Sequence, residues 1–398
     1  MSGAEDSPWF KERMSKIVEN LGSNVEEARY ELSKSVEGFM STLYYVCVKF
    51  KDKTKGGQSE KLTMIIKRPT QIEMFREMID VNPQFHNEIV FYQIYARPDE
   101  NFVKCFYADE RPPIDSVIAL ENVNQRGYYS CPYKNDVSLE YTLAAIQELG
   151  RFHGKGYVMK EQQREKFFDI VKQLQETKYK PGMDDARKTY VNIPATRAVE
   201  YLRDQGHDAI FCDKMEAVLS NAFDLIMVEM VKPTEPLATL CHGDFTVLNT
   251  LFKTEDDGEI RAMLIDFGTL GYSTPVVDLS TFLYLCCTNE LRKDKLFEII
   301  RVYHETVKKY LLDAGVQDID KYSYDAFLDD FRKGALFGFV IASFFLPGLL
   351  GYLDNLPEEV DMLEHINYCK EAGGDEISKI LADMLLQLRD FGFLKHVL

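Results

Sequence analysis

Between residues 39 and 69, apolar and polar positions alternate along two stretches, "FMSTLYYVCVKF" (39–50) and "KLTMIIKRP" (61–69). A period of two, rich in β-branched and aromatic residues, predicts strands. The "KDKTKGGQSE" between them has a glycine pair suited to a turn, so the two runs read as a β-hairpin. Upstream, residues 9–34 mix charge with apolar spacing and predict one or two surface helices. Downstream, "PQFHNEIVFYQIYA" (83–96) sets Phe85, Ile89 and Tyr92 at helical spacing. "FVKCFYADE" and "SVIALENV" then return to strand-like patterns. Strands, one helix and strands again describe a small α+β lobe closing near residue 123.

Past that point the period changes. "ENVNQRGYYSCPYKND" is polar and turn-rich, as a linker would be. "SLEYTLAAIQELGRFHGKGYV" predicts a long amphipathic helix, and 160–232 read as mostly helical. Two short apolar runs follow, "PLATLCHGD" and "RAMLIDFG", with the turn-like "KTEDDGE" between them, and from Asp278 the pattern is helical to the end. The expected organisation is a lobe over 1–120, a hinge over 121–130 and a second lobe over 131–398. Ala335 to Leu353 is uncharged over a length that could span a bilayer. It is broken by Pro347-Gly348 and flanked by the acidic "LDDFRK" and "DNLPEEVD", which predicts a buried helix to about Phe345, then a turn, and no membrane span.

Composition narrows the possibilities. With 47 basic and 64 acidic residues the net charge is −17, which argues against nucleic acid as a general partner. A nucleotide would meet a hostile average surface, so its site has to be built locally from a metal, a lysine and backbone amides. The eight cysteines form no C-x-x-C pair and suit a reducing cytoplasm; the first residues do not look like a secretory signal. The seven histidines form no zinc-like cluster in the sequence, and no obligate protein partner is implied.

The chemistry gathers around "LCHGDFTVLNTLF" (240–252), where Asp244 and Asn249 have the spacing D-x-x-x-x-N, and "LIDFG", where Asp266 ends an apolar run. Phosphoryl transfer needs these types. One carboxylate accepts or orients the proton of an attacking hydroxyl. A second carboxylate and an amide oxygen hold magnesium, which prefers hard oxygen ligands. Lys67 ends the apolar strand "MIIK" and could neutralise the phosphate tail, with Glu88 on the next helix as its ion-pair partner. Each residue alone has a plainer reading: a turn aspartate, a surface lysine, a solvated helix glutamate. Their order along the chain is the layout of a bilobal, protein-kinase-like α+β fold, with a small β-rich N-lobe and a large, mainly helical C-lobe.

On "LCHGDFTVLNTLF", "MLIDFG" followed by "PVVDLSTFLYL", and "FHNEIVFY", the chain resembles the ecdysteroid kinase-like, or CHK kinase-like, proteins, relatives of choline kinases and aminoglycoside phosphotransferases. The resemblance covers about residues 30 to 395. It implies Asp244 as the catalytic carboxylate, Asn249 and Asp266 as magnesium ligands, and Lys67, paired with Glu88, against the phosphates of ATP. It implies Asp278 as a structural acid bracing the catalytic loop. It also implies that the turn "SVEGFMS", with Gly38 and Ser41, covers the phosphates, and that Glu121 and Val123 form the adenine-binding hinge. The chain departs from the family at Thr246, where a tryptophan is usual, and at Leu248, where a first asparagine is usual. Twelve positions separate Asp266 from Asp278, little room for a peptide-docking segment, so a small-molecule alcohol is the expected acceptor. The resemblance favours a steroid-like one. A choline-like or amino-alcohol acceptor, and a pseudokinase that binds without turnover, are the alternatives.

Overall fold

The computed structural model describes residues 7–38, 40–73, 76, 79–97, 100–353 and 362–398. Phe39 and the acidic "DNLPEEVD" flank lie outside the described residues. The chain divides into two compact units. The first takes in the chain up to Tyr128 together with Lys172–Lys178 and Ile265–Leu270, and the second takes in the rest.

In the first unit, helix α1 (Pro8–Asn20) starts where Ser7 accepts the Phe10 N–H at 3.1 Å, with proline at its first position. The predicted hairpin is β2 (Ser41–Asp52) and β3 (Gln58–Pro69), in antiparallel register from Ser41↔Pro69 to Asp52↔Gln58. With β1 (Val25–Glu37), β4 (Cys105–Asp109) and β5 (Val117–Glu121) they make a five-stranded sheet of order β1-β2-β3-β5-β4. Phe10, Met14 and Ile17 of α1 join Val46, Val48, Met64 and Ile66 in its core. β1 corrects the expectation of helices over 9–34, which holds only for the first half. Residues 25–37 contain strong helix formers, yet Ala28, Tyr30 and Leu32 alternate with exposed or charged neighbours, and pairing with β2 overrides propensity. Helix α2 (Val81–Val90) runs into a π-turn over Phe91–Tyr95.

The second unit holds helices α3 (Leu139–Gln162), α4 (Arg164–Val171), α5 (Asp185–Asp204) and α6 (Ala209–Leu219). It also holds short strands β6 (Tyr129–Ser130), β7 (Thr239–Cys241), β8 (Thr250–Thr254), β9 (Ile260–Leu264) and β10 (Gly271–Ser273). β6, β8 and β9 form one small sheet, and β7 pairs with β10. Helices α7 (Val276–Cys286), α8 (Asn289–Asp313), α9 (Tyr324–Leu349), α10 (Met362–Glu371) and α11 (Gly374–Asp390) follow.

The uncharged run lies in α9 as far as Leu349, and that helix is long and apolar enough to cross a membrane, with 72% of its most apolar window buried inside the protein. The helix does not stop near Phe345. Pro347 sits in its last turn, and the stop is Gly351 at φ +84°, which lets the Tyr352 N–H reach back to the Pro347 carbonyl at 2.9 Å. Gly338 makes the close crossing of α9 on α7 possible, since a Cβ there would lie 2.2 Å from the Ser280 carbonyl oxygen. Gly338→Ala is therefore expected to cost about 1–3 kcal/mol through overpacking. It should appear as a lower urea midpoint at unchanged slope. An unshifted midpoint would mean the helices part easily there.

Candidate active site

Lys67 lies on β3 opposite Leu43 of β2 and Ile118 of β5, so strands on both sides fix its backbone. Its ammonium donates to Glu88 Oε2 at 2.6 Å and to Asp266 Oδ1 at 3.1 Å. Thus the structure assembles three of the sequence-predicted residues. Burial disfavours the charged lysine, but the Asp266 and Glu88 carboxylates outweigh it and hold the ammonium above its ordinary range. Glu88 is almost wholly buried, and burial pushes its carboxyl up to about 7 against the pull of Lys67. Asp266 takes φ +66°, a left-handed conformation that costs most side chains energy and that aspartate tolerates better than most. Next to it Phe267, fully buried, stacks on Phe91 at a ring separation of 3.5 Å.

Of the other first-unit candidates, Ser41 and Glu121 lie on the same sheet, Gly38 in the turn before β2, and Val123 in a short helical turn just after β5. The Gly38 N–H donates to the Ser41 carbonyl at 2.9 Å, closing the turn from β1 into β2. Ser41 opens β2 two positions before the partner of Lys67. Glu121 ends β5, and its carboxylate pairs with Arg126 at 3.2 Å. Val123 is buried, and its carbonyl accepts the Tyr128 N–H at 3.3 Å.

The second unit carries the loop between β7 and β8. Asn249 Nδ2 donates to the Asp244 carbonyl at 2.9 Å and to Asp244 Oδ2 at 2.8 Å. That commits the amide hydrogens and leaves the amide oxygen as the ligand-type atom. Thr246, at the usual tryptophan position, is buried, and its carbonyl accepts from the Asn249 N–H and the Thr250 hydroxyl. Leu248 points outward, 67% exposed. Thr250 pairs with Leu264, so Asn249 directly precedes one strand of the hairpin and Asp266 follows the other by two residues in the chain.

Asp278 is fully buried and accepts from the His242 N–H (2.7 Å), the Gly243 N–H (2.8 Å) and His153 (3.0 Å), while His153 meets the Tyr303 hydroxyl at 2.8 Å. This braces the backbone just before Asp244, where Gly243 turns at φ +79°. His153, Cys241 and Asp278 offer ligand-type atoms within 4.8 Å of one another, a grouping their separation in sequence hides. The His153–Asp278 hydrogen bond already fills the space between them, and the Cys241 thiol is spent on the Ser273 and Thr274 carbonyls. Burial raises the Asp278 carboxyl, but the hydrogen bonds and charge of His153 and the loop amides outweigh it and hold the group below its usual range. A depressed folded-state value means its stabilisation is present above the unfolded value, near pH 4, and fades as pH falls through the folded one. Asp278→Ala should cost about 1–3 kcal/mol for each buried donor left unmet. The denaturation midpoint at neutral pH checks this, and a midpoint equal to wild type removes the bracing role.

Sequence reasoning missed His153, Asn87 and Gly268. Their partners are backbone groups or residues more than eighty positions away, so no local pattern marks them.

The model of the ecdysteroid kinase-like family matches residues 35–316. No curated protein matches. Among solved structures, the GDP complex of wild-type aminoglycoside 2′-phosphotransferase-IIIa is similar at 12% identity, over 93% of this chain and 98% of that one, with a TM-score of 0.41. An aminoglycoside phosphotransferase in ternary complex with AMP-PNP and hygromycin B is similar at 13% identity, over 92% and 97%, with a TM-score of 0.32.

Proposed function

The chain belongs to the ecdysteroid kinase-like family, and on that premise we propose that it transfers the γ-phosphoryl group of ATP to a hydroxyl of a small molecule, with a steroid-like alcohol favoured. The observation that carries this reading is the Lys67–Glu88–Asp266 contact set, 2.6 and 3.1 Å, built from residues 21 and 199 positions apart. A lysine held cationic and fixed in place is what a polyphosphate needs inside an acidic protein. The donor set fits magnesium. Asp266 is a carboxylate with its side chain 41% exposed, and Asn249 offers an amide oxygen, both hard ligands. When bound, magnesium would neutralise charge on the phosphates.

Lys67 steadies the phosphate tail. Asp244 receives the proton of the acceptor hydroxyl as that oxygen bonds to the γ-phosphorus and the bond to the β-phosphate oxygen breaks. Glu121 and Val123 would hold the adenine through backbone groups, and the turn from Gly38 to Ser41 would cover the phosphates. The helical stretch 154–235 would supply much of the acceptor pocket. A cytoplasmic setting, where eight unbridged cysteines stay reduced, goes with this reading.

The test incubates the protein with γ-labelled ATP and magnesium against a panel of steroid, choline-like and amino-sugar alcohols. Label on one hydroxyl class identifies the acceptor. Nucleotide binding with no transfer to any member of the panel would leave a binding protein instead of a kinase.

A further inference from the structure

Helix α2 does more than supply the partner of Lys67. Gln84, Asn87, Glu88 and Phe91 fall at i, i+3, i+4 and i+7, on one face. Three of them meet the segment that begins at Asp266. Gly268 packs so tightly on Gln84 that a Cβ there would lie 3.2 Å from the Gln84 Cβ and 3.3 Å from its carbonyl oxygen. Phe91 stacks on Phe267. Between them Asn87 is completely buried, and its Nδ2 faces three carbonyls: Gln175 at 2.8 Å, Gly268 at 3.3 Å and Leu270 at 3.4 Å. Its Oδ1 accepts the Gln175 N–H at 2.9 Å.

An amide has two hydrogens and one oxygen. One hydrogen serves Gln175, and the other is shared by Gly268 and Leu270 in a three-centre bond. An aspartate lacks both donors and would set a carboxylate against three carbonyl oxygens. A leucine of similar size would leave all these buried groups unmet. His86, the preceding residue, reaches the same strap of chain through the Gln173 carbonyl at 2.9 Å. Thus Lys172–Lys178, which in sequence belongs to the helical insert, is fastened to α2 at two successive residues.

We infer that Asn87 is a positioning residue for the magnesium-binding aspartate. It fixes the Gly268–Leu270 backbone to α2, which keeps Asp266 in its left-handed conformation beside Lys67, and it ties the Lys172–Lys178 segment to the same helix. This rests on the reading of Asp266 as a magnesium ligand.

The experiment measures ATP affinity of the full chain by titration calorimetry, with and without magnesium, for wild type, Asn87→Leu and Gly268→Ala. Hydrogen exchange is followed in parallel. Groups that orient a metal ligand typically change metal affinity by about 10–100-fold when removed. Asn87→Leu should therefore weaken magnesium-dependent ATP binding by that order and leave metal-free binding unchanged. Exchange should quicken in residues 172–178 and 265–270 and stay slow in α7 and α9. Gly268→Ala strains the same contact from the other side and should act in the same direction more weakly, so it serves if Asn87→Leu does not fold. A folded Asn87→Leu, or a folded Gly268→Ala standing in for it, with wild-type magnesium dependence and wild-type exchange overturns the inference alone. A wild-type chain that binds no magnesium-ATP overturns the reading of Asp266 on which it rests.

Discussion

Asp244→Asn is expected to lower turnover by about 10²–10⁴-fold and to leave nucleotide affinity nearly unchanged. The loop supports this separation. Asn249 Nδ2 donates to both the carbonyl and the carboxylate of Asp244, so an amide at position 244 can keep its oxygen toward Asn249 and preserve the loop. What disappears is the carboxylate proposed to accept the proton of the attacking hydroxyl. Phosphoryl transfer is largely dissociative and relies on positioning, which places the effect toward the lower end of that range. Single-turnover kinetics and a nucleotide titration on the same preparation measure the two quantities. A variant that turns over at the wild-type rate takes Asp244 out of the proposed role.

Asp266→Ala should reduce ATP affinity in magnesium to that seen without the metal. Lys67 has Glu88 as a second partner at 2.6 Å, so the cation proposed to face the phosphates should be retained and the proposed divalent ion lost. The net charge of −17 makes that loss severe, since little else on the average surface offsets a triphosphate. Alanine at φ +66° also strains the backbone, by roughly 1–2 kcal/mol. Asp266→Asn is the cleaner comparison, because asparagine tolerates that conformation and lacks only the charge. If both variants bind magnesium-ATP as wild type does, Asp266 is not the ligand.

The strand hairpin, the helix with Glu88 and the long helix at 139–162 were legible because their large apolar residues recur at two or at about three and a half positions. β1 was not legible. Its charged residues favour a helix in isolation, and only its register with β2, including the irregularity at Glu27 (φ +51°), makes it a strand. The end of α9 was misplaced because proline is tolerated in a last turn whose carbonyls find other donors, and the left-handed Gly351 is the true stop.

Residue identity and order alone determined the candidate chemistry: two aspartates and an asparagine at fixed spacing, a lysine ending an apolar strand, a glutamate on the next helix. Those types are chosen by reactivity and charge, which a side chain carries wherever it sits. Only the tertiary structure decided that Lys67, Glu88 and Asp266 meet, that Asp278 collects two loop amides and His153, and that Asn87 holds three backbone carbonyls. These links join positions between 21 and 199 residues apart, and most run through backbone groups that every residue possesses. A contact made by a group common to all residues leaves no mark in the sequence, so it becomes visible only when folding brings the two segments together.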